Sequence, residues 1–109
     1  MSKESIDNEM DESYEYIKNG EYAMAVEILK TLRIRFPDQL RFNGNDINLE
    51  DVKKWEQDHD SVLEMRIKEI EDSDSHPFDK QKKTIRQLYD YAISYFRYYD
   101  SLRRENDVY

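Results

Sequence analysis

The chain has 109 residues, no cysteine, two glycines and two prolines, with 38% hydrophobic and 39% charged positions. That length supports one core, the missing cysteines exclude disulfides and thiolate chemistry, and turn-formers are too few for a sandwich or barrel. Twenty-five acids against 17 bases give a net charge of −8, which disfavours nucleic acid as a ligand.

Long helices are what remains, and four can be marked out. The first is expected from about residue 3 to 19, with Ile6, Met10, Tyr14 and Ile17 at spacings of four, four and three. Asn19-Gly20 ends it, because both residues tolerate the left-handed conformation of a C-terminal cap. The second runs over about 21–36, with Ala25, Ile28, Leu29 and Leu32 on one face, and Pro37 stops it. Leu40 to Ile47 carries the strongest turn chemistry in the chain. Asn48 then caps a third helix over about 48–71, whose stripe holds Val52, Trp55, His59, Val62, Leu63, Arg66, Ile67 and Ile70. Trp55, the only tryptophan, reads as a core anchor. After the acidic linker 72–76, Pro77 opens a fourth helix to about 104. Its Ile85, Leu88, Ala92, Tyr95, Tyr99 and Leu102 follow the 3-4 spacing of a coiled-coil seam.

The segment around Gly20, Tyr22, Ala25 and Pro37, with Tyr16 in the preceding helix, resembles one tetratricopeptide repeat over about residues 5–38. The resemblance implies a helical hairpin with a tight turn at Gly20 and close approach at Ala25. Glu9 and Ser13 depart from the repeat, and no second copy follows Pro37. The expected architecture is therefore an all-α single domain spanning residues 1–109. In it, a short repeat-like hairpin packs on a long antiparallel pair formed by the third and fourth helices.

No cofactor and no metal is expected. Glu56-x-x-His59 is half of a carboxylate-bridged di-iron motif, but its second half is missing, since Ser73 precedes His76 at that spacing. His59 is expected at the edge of the apolar stripe with a neighbouring acid on its ring. The oxygen-rich run 43–50 lacks the glycine position and the final glutamate of a calcium loop. No phosphate cradle or nucleophile elbow is present, so the chain reads as non-catalytic.

Two surfaces stand out. Tyr91 and Tyr98 lie seven residues apart on a flank of the fourth helix, with Tyr95, Arg97 and Arg104 nearby. They are expected to form a partner-binding or self-association surface, which points to another protein as partner and to a homodimer. The alternative is an acidic face from Glu56, Asp58, Asp60, Glu64, Glu71, Asp72 and Asp74, which suits a DNA-mimicking decoy. An immunity-type helical bundle is a further alternative. No run of about 18 apolar residues and no basic, apolar leader is present, so no membrane contact and a cytoplasmic location are expected.

Overall fold

The computed structural model describes residues 6–42 and 45–106. Among them are four helices: α1 (Ile6–Lys18), α2 (Tyr22–Arg35), α3 (Leu49–Asp72) and α4 (Pro77–Asn106). The all-α expectation holds, with boundaries within a few residues of those read from periodicity. A 3-10 turn (Pro37–Gln39) and two two-residue strands, β1 (Arg41–Phe42) and β2 (Asn45–Asp46), link α2 to α3. The strands pair antiparallel, Arg41 opposite Asp46. The turn expected at Asn43-Gly44 lies outside the described residues. None of the described helices is long and apolar enough to cross a membrane.

Local chemistry explains the breaks. Gly20 sits at φ +80°. The Glu21 amide donates to the Tyr16 carbonyl at 2.9 Å and the Gly20 amide to the Ile17 carbonyl at 3.1 Å, the double closure of a Schellman cap. Nothing lies within 4 Å of where a Cβ would stand. Gly20→Ala therefore meets backbone strain and no clash, and should cost about 1 kcal/mol in a urea melt. At α3, the Asn48 side chain accepts from the Glu50 amide at 2.9 Å. Pro77 opens α4 without losing a needed donor, and the His76 Nδ1 accepts from the Phe78 amide at 3.1 Å.

The core lies at one end of the molecule. Met10 and Ile17 of α1, Ala25, Leu29 and Leu32 of α2, and Ala92, Tyr95, Tyr99 and Leu102 of α4 are buried. Leu40 and Val52 close its base. Core positions differ from the sequence pattern in both short helices, and on α2 Val26 is buried while Ile28 is half-buried. Ser13 is buried and Tyr14 is exposed, because the Ser13 hydroxyl satisfies itself on the Met10 carbonyl at 2.7 Å while Tyr14 lies out over Phe96. Ion pairs tie the elements together: Arg35 to Glu9, Arg103 to Asp7, and Lys30 to Asp60.

Lengths decide the shape. At 1.5 Å per residue, α1 and α2 are about 20 Å long, whereas α4 is about 45 Å. The α1–α2 hairpin therefore covers half of the α3–α4 pair, and the remainder projects as an arm along the 53 Å long axis. No residue from 57 to 91 is fully buried.

Candidate interaction surface

The Tyr91/Tyr98 flank faces inward, against expectation. Trp55 and His59, one turn apart on α3, project toward α4, and Tyr91 and Tyr98, two turns apart, project back. The four rings form one stack. Tyr98 lies 4.0 Å from Trp55 at 9°, Trp55 4.7 Å from His59 at 18°, and His59 5.1 Å from Tyr91 at 8°. Tyr95 meets Trp55, His59 and Tyr91 edge-on and is wholly buried. Two flat rings from α3 cover this flank. Arg97 is exposed away from the stack, and the side chain of Arg104 lies outside the described residues. Of the described residues in this set, Tyr95 is buried, Tyr91 and Tyr98 are half-covered by the α3 rings, and Arg97 is exposed. Tyr91→Ser/Tyr98→Ser should accordingly lower stability by about 2 kcal/mol in thermal melts, since both rings are half-buried packing.

Beneath the stack run two carboxylates. Glu56, expected on an acidic surface, is buried and pairs with Arg33 at 3.2 Å while accepting from the Tyr99 hydroxyl. Burial pushes its carboxyl above the usual range, against the pull of Tyr99 and Arg33. Asp60 accepts from the hydroxyls of Tyr91 and Tyr95 and from Lys30 Nζ at 3.0 Å. Burial alone would lift Asp60, but these donors outweigh it and hold its carboxyl below the ordinary value. The two acids thus oppose each other on the acid limb. Asp60 stabilises the fold above its ordinary range and loses that contribution as pH falls, whereas Glu56 favours folding as it gains its proton.

These contacts also place the Glu56-x-x-His59 pair. Among the described residues no acid pairs with the His59 ring, contrary to expectation: its Nε2 lies 3.3 Å from the Tyr91 carbonyl, and its faces meet Trp55 and Tyr91. Glu56 is committed to Arg33. Among the described residues no group of three or more His, Asp or Glu could hold a metal ion. With Glu56 and Asp60 withdrawn into the network, the acidic face shrinks to Asp58, Glu64, Glu71, Asp72 and Asp74, interrupted by Arg66 and Lys68.

The exposed feature is elsewhere, on the arm. Phe78, Ile85, Ala92 and Tyr99 stand seven residues apart and share one line along α4. Ala92 and Tyr99 are fully buried under α1–α2, while Ile85 is 49% and Phe78 58% exposed. Glu56, Leu63 and Ile70 form the matching line on α3: the first is buried and the other two half-covered. One continuous face is thus roofed over half its length and open over the rest. Where the roof ends, Tyr22 meets Tyr89 edge-on, and a cleft of about 540 Å³ opens between Met24 and Val26 of α2 and Leu63 and Leu88 of the arm. Floor and wall together form a ledge.

The sequence places Ile85 and Leu88 on a seam expected to be covered by the hairpin and the third helix, but Ile85 is exposed and Leu88 only half-covered. The signal was available: helices of 13 and 14 residues cannot roof one of 30. No family model, curated protein or solved structure matches this chain. The class the geometry defines is an all-α fold with a projecting helical arm.

Proposed function

We propose that this chain is a non-catalytic protein-interaction module that binds another protein through the ledge on its α3–α4 arm. The observation that carries this reading is the unroofed half of the heptad line. Phe78, Ile85 and Tyr89 are large, apolar and exposed along one face of α4, and Leu63, Leu88 and Met24 line the cleft that Tyr89 borders through its contact with Tyr22. Contiguous apolar faces of this kind on a soluble chain mark contact sites. Aromatic and methionine side chains are the types that interface cores favour.

The test compares the native chain with Phe78→Asp/Ile85→Asp as baits in extracts of the native host. The variant should melt within about 0.5 kcal/mol of the native chain, because both positions are exposed. A partner held by the native chain should be lost from the variant. Equal retention by both baits would contradict the proposal.

A further inference from the structure

The two edges of the ledge differ in net charge, and this describes its occupant. On α3, Glu64 and Glu71 outnumber Lys68 between them, with the Lys80 ammonium on the Glu71 carbonyl at 2.8 Å, and on α4, Lys82 and Arg86 outnumber Asp79. On α3, Glu64 and Glu71 stand seven residues apart, each next to a floor residue, Leu63 or Ile70. Both are exposed, and neither takes part in an ion pair among the described residues. On α4, Lys82 and Arg86 flank Ile85 on the side away from α3. The Lys82 ammonium lies 4.7 Å from the Phe78 ring centroid, and Arg86 reaches only its own helix, to Asp90 at 3.4 Å. Between these edges the floor from Phe78 to Tyr89 is about 16 Å long, three turns of helix. The wall at Met24 closes one end, and the tip beyond Phe78 is open.

Resting on the interaction reading above, we infer that the ledge receives one amphipathic α-helix from another protein, with a basic edge over α3 and an acidic edge over α4. The helix would continue the layer begun by α1 and α2, which already pack on the same face of α4. Its apolar residues at i, i+3 or i+4, and i+7 fill the groove between Leu63, Ile67 and Ile70 on one side and Ile85, Leu88 and Tyr89 on the other. Because reversing such a helix exchanges its edges, the charges also fix its direction along the arm.

A second copy fits the face less well. Each copy carries α1–α2 on the ledge side, so two arms can lie face to face only in opposite directions. A twofold axis between them then sets α3 over α3 and α4 over α4. Acid meets acid and base meets base, which costs affinity at each crossing.

The experiment uses the full chain and three labelled helical peptides of about 18 residues, long enough to hold helix in water with alanine-rich spacers. All share one apolar stripe. One peptide has a Lys edge and a Glu edge, one has two Lys edges, and one has two Glu edges. Fluorescence anisotropy at about 0.15 M salt should show the mixed peptide binding about tenfold tighter than either like-charged peptide. A photo-crosslinker at the peptide N-terminus should label one end of the ledge on the native chain. On a variant carrying Glu64→Lys, Glu71→Lys, Lys82→Glu and Arg86→Glu it should label the opposite end.

Equal binding of all three peptides, or none by any, would overturn the helical occupant. A concentration-dependent dimer in sedimentation, abolished by Phe78→Asp/Ile85→Asp, would overturn it in favour of a second copy. In each case the bait comparison reports separately on the interaction reading, which falls only if the variant bait retains its partner.

Discussion

Replacing Glu56 with alanine is expected to cost about 3–5 kcal/mol of folding free energy, a large share of the ~5–15 kcal/mol that holds a small domain together. The magnitude follows from what would be left behind. Arg33 is mostly buried, its Nη2 reaches Glu56 at 3.2 Å, and its Nε has no hydrogen-bond partner. Without the side chain, Arg33 Nη2 and the Tyr99 hydroxyl both lose their acceptor in a buried site, and a cavity is left beside them. Removing both charges is a different matter. Arg33→Met/Glu56→Leu should recover most of the loss, because desolvating two ions offsets much of their attraction. Urea melts of the single and double variants check both statements, and a double variant as unstable as Glu56→Ala would show the pair to be net stabilising.

High pH should unfold the protein from the same network. Tyr95 and Tyr99 are fully buried, and each hydroxyl donates to a carboxylate, Asp60 and Glu56 respectively. Burial first, and those bonds second, push both phenols well above their ordinary value of 10.0. Tyr91 is raised for the same reasons, and Tyr98 by burial and the nearby Glu56 charge. A group whose folded pKa is raised gives stability that is complete below its unfolded value and lost above it. The unfolded chain releases these protons near pH 10, while the folded chain retains them. Tyr95 and Tyr99 alone should therefore remove about 3 kcal/mol per pH unit above that point. In tyrosinate absorbance followed with helical circular dichroism, the signal of Tyr91, Tyr95, Tyr98 and Tyr99 should appear only as helix is lost. A single transition of all nine near pH 10 with helix intact would contradict the network.

Much of this fold was legible because its signals are local. Gly20 and Pro37 are punctuation that no tertiary contact overrides, Asn48 caps the helix it precedes, and Pro77 opens α4. The heptad line on α4 announced a buried seam, and Ala92 and Tyr99 confirm its C-terminal half. What periodicity cannot report is which neighbour covers a face. Tyr91 and Tyr98 lie at the margin of the apolar arc, and periodicity carries no information on the ring stacking that covers them. Trp55 and His59 cover them by stacking, at positions assigned to the apolar stripe of α3 without a partner. Glu56 looked like one acid among ten between residues 50 and 74. Its burial depends on Arg33, 23 residues earlier, and no spacing rule links the two. The ledge was missed for the opposite reason: helix lengths alone imply it.

The central claim is that the open half of the α3–α4 face, and no other surface, meets the partner. Amide hydrogen exchange of the chain, alone and bound to the protein captured by the native bait, tests it most directly. Binding should slow exchange along residues 63–72 and 78–89 and at the α2 wall around 22–24, leaving the exposed side of α1 unchanged. Protection that instead gathers on α1, with the arm exchanging as it does in the free chain, would contradict the account.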